Sequence, residues 1–320
     1  MQTKKRQLSK RLGWSFVVAF GAMNLMAAFH AWKFTHFEPS AVSTIKPEQL
    51  SVAEKMSTIT FGVKLPRPTN NAVPTQAFET VNIQSHETLE AWQLSTENPK
   101  GTVLIFHGYG GNKSMMIGQS DEFLKMGYNT LLVDFQGSGG SGGNQTTIGY
   151  KEADDVKACF DYVKNQGEKN VVLFGTSMGA AAVMKAVHDF DLKASSVIIE
   201  CPIGTMYEAT CARFRAMGAP VFPMARLLVF WGGLENGFWA FSHNPIEYAM
   251  GIHCPTLLLY GEQDQRVKRS EIDAVFENLP AAKTLKTYPN AGHENYLIQY
   301  RDKWVDDVSA FLTKVQRPPD

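Results

Sequence analysis

The pentapeptide Gly175-Thr176-Ser177-Met178-Gly179 constrains the fold of this chain more than any other stretch. The run before it, Asn170-Val171-Val172-Leu173-Phe174, reads as a buried strand, and Ala180-Ala181-Ala182-Val183-Met184-Lys185-Ala186-Val187 after it reads as a helix. A strand that turns this sharply into a helix brings two backbones into close approach. Glycines on both sides of the serine remove the Cβ atoms that would collide. The serine is left at a strained apex with its hydroxyl projecting from the sheet edge, so Ser177 is read as a nucleophile rather than as a simple helix cap.

A serine hydroxyl is a weak nucleophile near neutral pH and needs a general base, which in turn needs an acid to hold its tautomer. Strand-like Thr256-Leu257-Leu258-Leu259-Tyr260 runs into a loop carrying Glu262 and Asp264, either of which has the chemistry of the acid. Thr284-Leu285-Lys286-Thr287-Tyr288 leads into the turn-rich Pro289-Asn290-Ala291-Gly292-His293, which puts His293 just beyond another strand. The chain order of nucleophile, acid and base fits an elbow on a doubly wound sheet. His30, His36, His86, His188, His243 and His253 lack this strand-end setting and are read as structural. His107 follows the strand Val103-Leu104-Ile105-Phe106 and opens the glycine-rich turn His107-Gly108-Tyr109-Gly110-Gly111, where a loop-shaping role is preferred to proton transfer. The backbone N–H groups of Tyr109 on that turn and of Met178 after the nucleophile are the candidate oxyanion donors.

These motifs resemble the α/β-hydrolase superfamily, in particular a bacterial branch related to serine aminopeptidases and bile-acid-conjugating-acyltransferase-like hydrolases. The resemblance is carried by His107-Gly108-Tyr109-Gly110-Gly111, by Asp134-Phe135-Gln136-Gly137-Ser138-Gly139-Gly140-Ser141-Gly142-Gly143, by the Ser177 pentapeptide, and by Asp264 and His293. It covers the chain from about Thr75 to the C-terminus. It favours Asp264 over Glu262, because the surroundings Gly261-x-x-Asp264-x-x-Val267 match. It implies a mostly parallel α/β sheet and a serine hydrolase that cleaves carboxylic esters or related acyl bonds without a cofactor. Aminopeptidase and acyltransferase activities would use the same three residues, and a non-catalytic binding module on this scaffold is less favoured because no member of the triad is missing.

The segment Gly137-Ser138-Gly139-Gly140-Ser141-Gly142 also satisfies the glycine spacing of a dinucleotide-binding turn. Such a turn opens its helix at once, whereas here Gly143–Gly149 intervenes before the helical pattern over 151–166. With 31 basic and 31 acidic residues the formal charge is zero, which removes the electrostatic case for a nucleic-acid partner. Cys159, Cys201, Cys211 and Cys254 show no metal-ligand spacing, and free buried thiols are preferred to a Cys201–Cys211 bridge.

From Leu12 to Trp32 the chain has no charged residue, and Lys4, Lys5, Arg6, Lys10 and Arg11 precede this run. A run of this length can cross a hydrocarbon core, and flanking cations stay on the cytoplasmic side. The reading is therefore a basic segment over 1–11, a transmembrane anchor over 12–32 and a catalytic domain on the non-cytoplasmic side. A cleaved secretory signal is less favoured, because the apolar run exceeds the usual length and no clean cleavage site follows. A connector over 33–74 is expected, with an amphipathic stretch at 47–56 lying on the membrane or on the body. The hydrolase domain is expected over 75–317, beginning with an antiparallel edge hairpin.

A helical cap insertion is expected at about 201–254. Most of its large apolar residues, among them Phe214, Phe222, Phe230, Trp231 and Trp239, are expected to form the cap's own core, the rest lining a pocket for a small-molecule or lipid-like acyl substrate.

Overall fold

The computed structural model describes residues 2–38 and 50–316. Among them, eight strands form one sheet in the order β1-β2-β4-β3-β5-β6-β7-β8. β1 (Phe78–Gln84) and β2 (Thr88–Leu94) are the antiparallel edge hairpin, and β2 also runs antiparallel to β4 (Asn129–Val133). β3 (Thr102–Phe106), β4, β5 (Val171–Thr176), β6 (Ser196–Glu200), β7 (Thr256–Gly261) and β8 (Lys283–Tyr288) run parallel.

Strand alternation distributes the core over both faces. Leu104, Phe106 and Leu173 face α4 (Glu152–Asn165), α5 (Met178–Phe190) and α9 (Arg269–Asn278), whereas Val103, Ile105 and Phe174 face α3 (Ile117–Lys125), the short α10 (Tyr296–Gln299) and α11 (Arg301–Gln316). Burial on both faces explains why these strands read as continuous apolar runs. The chain leaves β3 toward β4 on one side and returns to β5 on the other, creating a topological switch point where α/β sheets place their ligands. Phe106 is registered opposite Gly175, so the turns after β3 and β5 leave the sheet side by side.

The N-terminal helix α1 runs from Gln2 to Thr35, and its stretch Lys10–Thr35 is long and apolar enough to cross a membrane. Its first half exposes Trp14, Phe16, Val18 and Phe20. Its last turns differ: Ala27, Ala31 and Thr35, spaced four apart on one face, are buried. They pack against α7 (Met224–Glu235), where Trp231 Nε1 donates to Asn24 Oδ1 at 3.1 Å. The residues expected to begin a connector are thus helical to Thr35. Beyond them Phe37 N donates to Asn144 O at 2.8 Å, which joins the chain to the α/β body.

Two local expectations need correction. The amphipathic stretch expected at 47–56 is a helix, α2, over Val52–Phe61, and 47–49 lie outside the described residues. Ser51 and Glu54 form a reciprocal capping box that fixes its start, a Ser-x-x-Glu signal present in the sequence. The cap contains α6 (Met206–Met217), α7 and the short α8 (Pro245–Tyr248), but its large apolar residues are not mainly its core. Leu228 is buried, while Phe222, Phe230 and Trp239 are exposed and Phe214 and Trp231 half-buried. Two helices laid over a sheet edge are too thin a layer to enclose so many rings.

Candidate active site

At Ser177 the backbone takes φ 53° and ψ −112°, a strained conformation for a residue with a side chain. The turn is held from β6, where Glu200 O accepts from Ser177 N at 2.8 Å. The flanking glycines are obligatory on steric grounds. A Cβ on Gly179 would lie 2.4 Å from Phe106 O, and one on Gly175 would lie 2.5 Å from Gly179 O.

Ser177 Oγ and His293 Nε2 are 2.8 Å apart, and His293 Nδ1 and Asp264 Oδ2 are 2.7 Å apart. Asp264 comes from the loop after β7 and His293 from the loop after β8. The other Asp264 oxygen accepts from the backbone N–H groups of Arg266 at 2.7 Å and Val267 at 3.0 Å, so both carboxylate oxygens are engaged. The Asp264 side chain is fully buried, whereas Glu262, the competing acid, is exposed. An aspartate fixed in this way holds the imidazole with Nδ1 protonated and leaves Nε2 free to accept the serine proton.

The glycine turn after β3 lies against the elbow. A Cβ on Gly108 would be 3.5 Å from Ser177 Cβ, which brings the Tyr109 and Met178 segments to one side of the serine. His107 is buried behind this turn and braces it. Its Nε2 accepts from Phe135 N at 3.2 Å and its Nδ1 donates to Gly108 O at 2.8 Å, so both ring nitrogens are engaged. Burial holds its pKa below the ordinary histidine value.

The glycine loop after β4 wraps a side chain of this same chain. Asp134, fully buried, accepts from Gly140 N at 2.9 Å, from Asn70 Nδ2 at 2.8 Å and from the Lys113 backbone and ammonium. A Cβ at Gly139 would overlap the carboxylate, which accounts for that glycine. Gly140 N is turned toward this internal anion, the N–H groups of Gly137, Ser138, Gly139, Ser141 and Gly142 donate to backbone carbonyls, and α4 opens nine residues beyond Gly143, at Glu152.

Ser177, His293, Tyr109 and Met178 line one cavity of about 600 Å³. Met206, Leu228, Val229 and Phe238 of the cap form an apolar part of its wall. Two contributors escaped the sequence reading. Ala31, Phe34 and Thr35 of α1 also line this cavity. So does Glu200 at the end of β6, whose pKa burial pushes up to about 8, leaving it protonated at neutral pH; Trp304 Nε1 donates to its Oε1 at 3.2 Å. An acid terminating the apolar strand beside the elbow was the available signal. Cys201 and Cys211 are buried free thiols.

A family model described as serine aminopeptidase, S33, matches residues 97–232. The Bacillus subtilis protein YqkD is 26% identical over 229 residues, covering 70% of this chain and 75% of its own length. An uncharacterised membrane protein of Saccharomyces cerevisiae is 25% identical over 248 residues, covering 77% of this chain and 82% of its own. Among solved structures, an esterase of Pyrococcus furiosus superposes with a TM-score of 0.65 at 23% identity, over 78% of this chain and 96% of that one. With its elbow-bearing parallel sheet, this chain has the α/β-hydrolase fold.

Proposed function

We propose that this chain is a membrane-anchored serine hydrolase that cleaves carboxylic esters or related acyl bonds through an acyl-enzyme. The reading rests above all on the hydrogen-bonded line Ser177–His293–Asp264 at the wall of an apolar cavity. Ser177 Oγ attacks the carbonyl carbon as His293 Nε2 takes its proton. The oxyanion is held by the backbone N–H groups of Tyr109 and Met178, and the imidazolium is stabilised by Asp264. His293 returns the proton to the leaving alkoxide. Water deprotonated by the same imidazole then attacks the acyl-serine, the second oxyanion collapses, and the freed Ser177 oxygen recovers its proton.

An amide reading has one specific support, the aminopeptidase description of the matching family model. The cavity favours esters. Met206, Leu228, Val229 and Phe238 give it an apolar wall that suits an acyl chain better than an N-terminal ammonium. Helix α1 would keep the enzyme at the membrane, with Lys4, Lys5, Arg6, Lys10 and Arg11 on the cytoplasmic side and the hydrolase body on the other.

The test is turnover of p-nitrophenyl esters of increasing chain length beside aminoacyl p-nitroanilides, with Ser177→Ala as control. Ester cleavage that disappears in the variant is the expected result. Cleavage of the anilides alone would replace the esterase reading with the peptidase one.

A further inference from the structure

The helix that reads as an anchor also lines the active-site cavity. Ala31, Phe34 and Thr35 of α1 border the same cavity as Ser177 and His293, together with Leu228, Val229 and Phe238 of the cap. The end of α1 is registered to the candidate oxyanion turn. Tyr109 Oη donates to Phe34 O at 2.7 Å, and the Arg213 guanidinium stacks on both rings, 5.2 Å from the Phe34 centroid and 4.6 Å from that of Tyr109.

The depth of this wall follows from helix geometry. At about 1.5 Å per residue, Leu12–Trp32 spans about 31 Å, close to the whole hydrocarbon thickness of a bilayer. Contact with α7 already begins at Asn24, within that span. When Leu12–Trp32 is immersed, α7 and the cavity wall beside it lie at the level of the nearer leaflet. The elements beside α1 carry the surface such a position requires. Val52, Met56 and Ile59 form one exposed apolar face of α2, and Phe230, Leu234 and Trp239 of the cap are exposed. α2 ends against α1, where a Cβ on Gly62 would lie 3.2 Å from the Phe29 ring.

We infer that the last turns of α1 form part of the acyl-chain wall, so that the anchor itself selects the substrate: an ester of a membrane-resident amphiphile, whose chain reaches Ser177 from the bilayer along the α1–α7 seam. This rests on the serine-hydrolase reading above. It also makes α1 a permanent part of the mature enzyme, since signal cleavage near residue 32 would remove Ala31 from the cavity wall.

The test uses the full chain in phospholipid nanodiscs, with p-nitrophenyl acetate and p-nitrophenyl dodecanoate as probes and fluorophosphonate labelling to count competent sites. Phe34→Trp narrows the wall and is expected to lower kcat/KM per labelled site about tenfold more on the dodecanoate than on the acetate. Ala31→Leu, one turn earlier, is an independent variant that should act in the same direction. Parallel changes on both esters, or none on either, in variants that still label would overturn the inference while leaving the hydrolase intact. A wild type that neither labels nor cleaves acetate would instead remove the hydrolase reading and this inference with it.

Discussion

The hydroxyl of Tyr109 donates a 2.7 Å hydrogen bond to the carbonyl of Phe34, joining the turn beside the candidate nucleophile to the end of the N-terminal helix. A carbonyl in the last turn of a helix has no partner within the helix, so this bond satisfies a group that the helix cannot. Tyr109→Phe leaves that carbonyl unsatisfied and should destabilise the protein by about 1–3 kcal/mol. The check is thermal unfolding in detergent; a variant as stable as wild type would show that the bond adds nothing to the hold between helix and body.

Asp264→Asn tests how the imidazole is held. Asparagine can keep the two backbone N–H bonds from Arg266 and Val267 but presents no charge to His293. On the scale known for serine proteases, loss of the charge and of the tautomer it enforces costs about 10⁴ in kcat. Steady-state ester kinetics give the value. A loss below about tenfold would move the acid role away from Asp264, with Glu262 the next residue to substitute.

Gly179→Ala probes the elbow. Its Cβ would meet Phe106 O at 2.4 Å, and that backbone belongs to the central strand β3, which cannot give way cheaply. The expected penalty is at least about 1–3 kcal/mol, the usual cost of overpacking, with loss of Ser177 reactivity as the turn shifts. Denaturant unfolding and fluorophosphonate labelling should fall together.

Glu200 sets a pH dependence. Its ordinary pKa is 4.5 and burial raises it to about 8, so between those values the folded protein holds a proton that the unfolded chain has released. Stability supplied by that proton is fully present below about pH 4.5 and is lost as pH rises toward about 8. Glu200→Gln keeps the shape without the titration. The unfolding free energy of the variant relative to wild type should therefore rise across this window, and Asp155, raised to about 7 in both proteins, cancels from the comparison. A constant difference would show that Glu200 is not protonated as described.

Much of this site was readable along the chain because its residues stand at strand ends, where apolar runs give way to turns. Ser177, His293 and Tyr109 stand out as candidates that way, Asp264 is singled out from Glu262 only by the family resemblance, and the β1–β2 hairpin is legible from its alternation. Neighbours that meet only through folding were not readable. Nothing near Phe34 marks it as a partner of Tyr109, and Ala31 and Thr35 look like ordinary positions of an apolar helix. The cap misled for a related reason: aromatic composition does not say whether rings face a core, a cavity or the outside. The start of α2 was a missed local signal, since the Ser51–Glu54 capping box lay in plain sequence.

Peptide-level mass spectrometry after fluorophosphonate treatment of the folded full chain tests the nucleophilic role of Ser177 most directly. A single phosphonyl adduct on Ser177 is expected, absent after denaturation before labelling and absent in Ser177→Ala, whose ester turnover should fall by about 10⁶ on the scale of comparable serine enzymes. An unmodified Ser177, or esterase activity that survives its replacement, would contradict it.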